Sequence, residues 1–224
     1  VQAIFEHYLP RSAGDDVPES RAGVALALAD RADTLTGLFA VGMEPTGSTD
    51  PYGLRRAAAG IVQILLEREL PLSVSDLVDR ALELLPVEPR PGTREDVLTF
   101  VAGRLESSLR DAGFAYDVVA AVLAEQGAHP VAARRAAEQL SSWVAREDWP
   151  LLLDNYARCV RITRDQPPFE LEPDRLVEAE ERLLYESLLT AEAQVSVAGD
   201  VDTLLHAFVP LVPQIQAFFD EVLV

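Results

Sequence analysis

Residues 21–41 read RAGVALALADRADTLTGLFAV and predict one long helix. Apolar residues recur there at three-, four- and seven-residue spacing, which places them on one face of a helix. The side chains expected on this buried face are Val24, Leu28, Leu35 and Leu38. Alanine, leucine, arginine and glutamate are abundant along the whole chain, whereas the alternating pattern of strands is scarce. The sequence therefore predicts an all-α fold.

Further helices are expected wherever this periodicity resumes between turn residues. Asp50 and Pro51 are typical of an N-cap and a first-turn proline, and they predict a helix that ends near Arg68. Trp149 and Pro150 are expected to break the helical pattern. The helices predicted after Arg68 cover residues 73–85, 93–111 with Gly113 as C-cap, 116–125, 131–146, 151–164, 174–197 and 201–224, the last interrupted near Pro210 and Pro213.

The composition is that of a globular protein with a substantial core, since 49% of the 224 residues are hydrophobic and 25% are charged. The single Cys159 excludes an internal disulfide and favours a reducing compartment. No apolar run approaches the roughly 20 residues that cross a bilayer, so we expect a cytoplasmic protein without membrane contact. Val1 at the start and an apolar run at the end indicate a piece of a longer polypeptide.

The net charge of −18 comes from 37 acidic and 19 basic residues, and all 19 basic residues are arginine. Phosphate-binding surfaces are usually basic, so this balance argues against generic binding to DNA or RNA. It leaves room for a local basic patch on an acidic body.

No catalytic centre is expected from these residues. A P-loop needs a lysine that the chain lacks, and there is neither a nucleophile elbow nor a Ser-His-Asp arrangement. The three histidines show no ligand spacing, so no metal site is expected. Asp30 and Asp33 lie one helical turn apart. Asp30 could ligate a metal or, as we favour, form a buried ion pair with Arg55 or Arg56.

Two arginine-bearing segments are candidates for RNA contact. The first is the pair at positions 55 and 56, and the second is residues 155–164, NYARCVRITR, with arginines three residues apart. Arginine binds phosphates, and asparagine and tyrosine hydrogen-bond or stack on unpaired bases. Taken alone, these residues favour the alternative, a solvated helix face with intrahelical ion pairs. The candidate residues are Arg55, Arg56, Asn155, Tyr156, Arg158, Arg161 and Arg164.

Several motifs, taken in order and spacing, resemble the β subunit of the bacterial-type α2β2 glycyl-tRNA synthetases. They are HYLPRSAGD at 7–15, ALALADRADTL at 25–35, PTGSTDP at 45–51, LRRAA at 54–58 and GIV at 60–62. Weaker matches follow downstream, among them GRL at 103–105 and FFDEVLV at 218–224.

The resemblance implies a division of labour between two subunits. The α subunit carries the catalytic core and uses ATP and Mg²⁺, while the β subunit recognises tRNA(Gly) and completes an α2β2 heterotetramer. This chain is thereby expected to be non-catalytic and to hold no cofactor. The implied domains are the C-terminal half of an HD-type helical domain at 1–70, a helical linker at 71–147 and an anticodon-binding-type helical bundle at 148–224.

Two motifs carry specific implications. Residues 28–31, Leu-Ala-Asp-Arg, resemble HD-fold hydrolases in which the aspartate, here Asp30, ligates a metal; the upstream histidine motifs are missing, so no functional metal site is expected at Asp30. Residues 155–158 and 161–162 resemble the arginine-bearing helix of anticodon-binding domains shared with arginyl-type synthetases. Two alternative functions stay open, namely a metal-dependent HD-type phosphohydrolase and a purely structural subunit-assembly module.

Overall fold

The computed structural model describes residues 1–167, 170–195 and 199–222, and within these residues the chain is helical without a strand. The helices are α1 (Gln2–Glu6), α2 (Arg21–Ala40), α3 (Leu54–Glu67), α4 (Val74–Glu83), α5 (Thr93–Asp111), α6 (Tyr116–Gln126), α7 (Pro130–Val144), α8 (Trp149–Thr163), α9 (Ala179–Val195), α10 (Val201–Phe208) and α11 (Val212–Glu221). The all-α prediction is confirmed. No helix in the described ranges has the length and apolar character that crossing a membrane requires.

The start of α3 differs from the prediction at Asp50. The helix begins at Leu54, because Gly53 takes a left-handed conformation with φ of 68° that ends the preceding turn. The Asp50 carboxylate still caps the helix, since it accepts hydrogen bonds from the backbone N–H groups of Leu54 at 2.8 Å and Arg55 at 3.0 Å. Asp50 therefore caps the helix with its side chain as predicted, although it does not occupy the N-cap position, which is Gly53.

The predicted break at Trp149 and Pro150 is wrong. Both residues form the first turn of α8, where a proline is tolerated because the first N–H groups of a helix have no intrahelical acceptor. The helix predicted from residue 174 begins at Ala179 instead, after a short 3-10 turn at Pro173–Arg175.

The ends of the last two predicted helices, Val197 and Val224, lie outside the described residues. The interruption predicted near Pro210 and Pro213 is confirmed, because a 3-10 turn at Val209–Leu211 separates α10 from α11. Ala112 is the C-cap of α5, and Gly113 follows it with φ of 96°.

The chain forms two compact units, residues 1–138 and 139–224. In the first unit, α2, α3 and α5 pack on one another and α4 packs on α2 and α5. Its fully buried side chains include Leu35, Leu54, Ile61, Ile64, Leu65, Val97, Val101, Leu105 and Leu109. In the second unit, α9 packs on α10 and α11, around Ala191, Ala207, Leu211 and Ile215.

Arg31 is a buried charge in the first unit, with 7% of its surface exposed. Its two terminal nitrogens contact five carbonyl oxygens, those of Ala27 and of residues 7–10, at 2.8–3.3 Å. Burial lowers the pKa of the Arg31 guanidinium, and the aligned carbonyl dipoles compensate the buried charge. The segment at residues 7–10 is thereby fixed against α2.

Glu6 ties α1 to the start of α2. Its buried carboxylate accepts hydrogen bonds from the hydroxyl and the backbone N–H of Ser20, and the Ser20 hydroxyl in turn accepts from the N–H of Gly23 at 3.0 Å. The hydrogen bond from the Ser20 hydroxyl is the main reason that the pKa of Glu6 lies below its ordinary value.

Gly60 of α3 lies directly against the Arg31 side chain. A Cβ atom at this position would lie 2.5 Å from Arg31 Nε and 3.2 Å from its Cδ. These atoms cannot swing away, because the guanidinium beyond them is held by five hydrogen bonds. A glycine in the middle of α3 is therefore required by packing, although glycine weakens a helix interior by about 1 kcal/mol relative to alanine.

We predict that Arg31→Lys lowers the free energy of unfolding by about 2–3 kcal/mol, because one ammonium group cannot replace a fork that reaches five carbonyls. Urea unfolding followed by far-UV circular dichroism measures this. Arg21→Lys is the matched control, since Arg21 is exposed on the same helix, and we expect it to change stability by less than about 0.5 kcal/mol. Equal effects of the two substitutions would contradict the structural role of Arg31.

Alanine substitution should have opposite effects at two helical glycines. Gly60→Ala is expected to destabilise the protein by about 1–3 kcal/mol, because the new methyl group displaces Arg31. Gly103→Ala places its Cβ in open space on α5 and is expected to stabilise by about 0.5–1 kcal/mol. Thermal unfolding of both variants checks the pair, and stabilisation by Gly60→Ala would refute the packing argument.

Candidate functional site

A concave groove of about 630 Å³ lies on the first unit. It is lined by residues of α3, α5 and α7 and by the loop at residues 10–14. Four arginines are among the lining residues, Arg55, Arg56, Arg104 and Arg134. The carboxylates that line the same groove belong to Glu67 and Asp111, so positive charge exceeds negative charge locally in a chain with a net charge of −18.

Arg55 and Arg56, both predicted RNA contacts, share this groove. The half-buried Arg55 donates a hydrogen bond to the carbonyl of Gly47, an acceptor that does not neutralise its charge. Arg56 is exposed, and in the described part of the chain its guanidinium has neither an ion pair nor a hydrogen bond. Both cations are available to an anion.

Arg104 and Arg134 were not among the predicted site residues. The Nε of Arg104 is buried and has no hydrogen-bond acceptor among the described residues, and its guanidinium carbon lies 5.9 Å from the centre of the Phe100 ring. Arg134 is more engaged, because it donates to the carbonyl of Leu66 at 3.3 Å and to Glu69 at 3.4 Å. Only the packing of α5 and α7 beside α3 reveals these two residues as neighbours of Arg55 and Arg56.

The second predicted segment forms part of α8 in the second unit. Arg158 packs over the ring of Phe219 at 4.3 Å, whereas Arg161 is exposed and lies 3.8 Å from an Asp154 carboxylate oxygen. Arg164 is the exposed C-cap and has no ion pair within the described ranges. The arginines therefore divide into one that fixes α8 against α11 and two that face solvent.

The two remaining candidates on α8 have different environments. Tyr156 is 57% exposed, and its ring lies 6.2 Å from the Phe208 ring in a T-shaped arrangement. Asn155 is only 1% exposed, and its amide donates to the carbonyl of Leu151 at 2.9 Å. Because it does not reach the surface, Asn155 is not retained as a direct RNA contact.

Asp30 lies on the exposed side of α2, and the buried ion pair predicted with Arg55 or Arg56 is wrong. Successive residues of a helix point about 100° apart, so the phase that exposes Asp30 turns Arg31 into the core. Within the described residues, no three carboxylate, imidazole or thiol groups gather so that they could hold a metal ion.

Comparison with known proteins gives a consistent result over the whole chain. A family model described as glycyl-tRNA synthetase beta subunit matches residues 1–124. The glycine–tRNA ligase beta subunit of Syntrophus aciditrophicus is 37% identical over 230 residues, which cover 100% of this chain and 33% of that protein. The corresponding subunit of Moorella thermoacetica is 37% identical and is covered to 34%.

A plant protein is similar over the same length. The chloroplastic/mitochondrial glycine–tRNA ligase 2 of Arabidopsis thaliana is 34% identical over 227 residues, covering 100% of this chain and 21% of the plant protein. The chain thus spans about one third or less of the length of these relatives. Because the family match extends over more than half of its residues, the chain belongs to the glycyl-tRNA synthetase beta subunit family.

Proposed function

We propose that this chain is a tRNA-recognition part of a glycyl-tRNA synthetase beta subunit and supports ATP-dependent attachment of glycine to tRNA(Gly). The observation that carries the RNA-binding role is the solvent face of α8. It presents one exposed tyrosine, Tyr156, and two exposed arginines, Arg161 and Arg164. Aromatic stacking on unpaired bases combined with phosphate neutralisation is the usual chemistry by which proteins bind single-stranded RNA loops.

In this proposal the chain performs no bond-making step. The α subunit holds glycine, ATP and Mg²⁺ and forms the activated amino acid, and this chain helps to bring tRNA(Gly) to it within a cytoplasmic α2β2 heterotetramer. Family membership supports this division, because the relatives similar to the whole chain include glycine–tRNA ligase beta subunits.

Each side chain on α8 has a distinct task in the proposal. Tyr156 stacks on an unpaired base, and Arg161 and Arg164 neutralise backbone phosphates. Arg158 acts indirectly, since its contact with Phe219 holds α8 against α11. The exposed Asp154 next to Arg161 is displaced easily, because an ion pair at 3.8 Å between two exposed groups contributes little free energy.

The acidic body contributes to the selectivity of such binding. With a net charge of −18, most of the surface repels phosphate, so RNA is held only where arginines are exposed. Arg55 and Arg56 in the groove of the first unit provide a second surface of this kind. Such a chain binds a partner RNA at these arginines and disfavours its binding elsewhere on the acidic surface.

The two alternatives receive less support. A metal-dependent phosphohydrolase would need further ligands around Asp30, which is exposed on α2 and belongs to no such cluster in the described part of the chain. A purely structural assembly module would not need exposed arginines at the C-terminal end of α8. The experiment below separates this second alternative from RNA recognition.

We predict that the double substitution Arg161→Gln and Arg164→Gln in the intact α2β2 enzyme raises the KM for tRNA(Gly) by about tenfold, because each loss removes one phosphate contact. Glycylation kinetics measured at fixed ionic strength check this value. The rate of glycine-dependent ATP–pyrophosphate exchange should stay unchanged, because it reports amino-acid activation in the α subunit.

Arg175→Gln is the matched control. Arg175 is an exposed arginine of the second unit that also pairs with one carboxylate, Glu172, at 3.3 Å, so its removal matches the loss of Arg161 in net charge and in local pairing. We expect its KM to change less than about twofold. An unchanged KM in the double variant would favour the structural assembly module.

A further inference from the structure

The groove of the first unit contains an arginine whose hydrogen-bonding capacity is incompletely used. Arg104 Nε is buried, yet no acceptor lies within hydrogen-bond distance of it among the described residues. A buried donor without a partner costs free energy, since its hydrogen bond to water has been lost. The terminal nitrogens of Arg104 also make no ion pair or hydrogen bond among the described residues, and Arg104 lines the groove, so these N–H groups can donate to an anion there.

The neighbouring arginines make an anion a favourable occupant. Arg56 has no ion pair or hydrogen bond in the residues that the structure covers, and Arg55 bonds only to a carbonyl. Of the two lining carboxylates, Glu67 accepts a hydrogen bond from Gln63 at 2.8 Å. Several guanidinium groups around one concavity match an anion with many acceptor oxygens, which describes phosphate better than a carboxylate.

The groove also has the size and lining of a small-molecule site. Its volume of about 630 Å³ lies within the range typical of ligand pockets. The apolar side chains of Val62, Leu66 and Leu109 contribute to its lining, and Ser107 and Ser108 add hydroxyl groups. A ligand with a planar or apolar portion and a phosphate, such as a nucleotide, fits both kinds of surface.

We propose that this groove is a phosphate-binding site in which Arg104 and Arg56 are the principal donors. The phosphate belongs either to a free nucleotide or polyphosphate or to the RNA backbone, and the chemistry of recognition is shared. The RNA-backbone alternative rests on the second RNA surface proposed for Arg55 and Arg56, and the site goes beyond that proposal because it can bind an anion without tRNA or the α subunit.

Calorimetric titration of the 224-residue chain with sodium pyrophosphate at low ionic strength tests the site. We expect saturable binding, and Arg104→Met should weaken it at least about tenfold because it removes the charge and the donors while keeping an unbranched stem. Arg110→Met is the matched control. Arg110 lies on the same helix outside the groove, with its guanidinium carbon 5.3 Å from the centre of the Tyr116 ring.

Stability measurements distinguish a binding residue from a structural one. Without ligand, Arg104→Met should unfold at the same urea concentration as the wild type or at a higher one, since the substitution removes a buried donor that has no acceptor. Pyrophosphate should raise the midpoint of the wild type and leave that of the variant unchanged, because a ligand stabilises only the state that binds it. A lower midpoint for the variant without ligand would indicate a structural arginine and would overturn the proposal.

Filter binding of tRNA identifies the source of the phosphate. If pyrophosphate competes with tRNA and Arg104→Met weakens both, the groove binds the RNA backbone. If Arg104→Met weakens pyrophosphate binding alone, the site serves a free phosphorylated ligand. Absence of saturable pyrophosphate binding, or equal affinities in Arg104→Met and Arg110→Met, overturns the proposal whatever the kinetics of the α8 variants show.

Discussion

The hydrogen bonds of Arg31 are the constraint on which the first unit depends. The Arg31 guanidinium on α2 donates hydrogen bonds to the carbonyl groups of residues 7–10. The Arg31 side chain also lies so close to α3 that residue 60 of that helix has to be a glycine. Arg55 and Arg56 lie at the start of the same helix, and the loop at residues 10–14 lines the groove beside them. The contacts of the buried Arg31 therefore help to position α3 and the adjoining loop, and with them Arg55 and Arg56.

Arginine thus has two opposite roles in this lysine-free chain. Arg31 is compensated by neutral carbonyl dipoles and contributes to packing, and Arg158 lies against an aromatic ring. Arg56 and Arg164 carry charges that no described carboxylate neutralises. On a body with a net charge of −18 such cations are the few places where phosphate is attracted. The proposed function follows from this contrast between buried and uncompensated arginines more than from the total charge.

Periodicity in the sequence was sufficient for the all-α class and for most helices, because long amphipathic segments depend mainly on local pattern. Periodicity failed where a shift of one position along a helix decides whether a side chain is buried or exposed. Asp30 was expected in the core and Arg31 was not singled out, although they differ by a single position. Asn155 was expected on the surface and is buried. Of the four arginines that line the groove, only Arg55 and Arg56 were predicted. Arg104 and Arg134 become their neighbours through the packing of separate helices, which residue spacing within one helix does not reveal.

Titration of the chain with tRNA(Gly) at increasing salt tests the central claim, that an acidic helical protein binds RNA through a few exposed arginines. Such binding should be weak and should fall with salt, with a log–log slope of about −1.5 to −3 for two to four neutralised phosphates of single-stranded RNA. A tight complex whose affinity does not change with salt would contradict the account, and so would the absence of any complex at low salt.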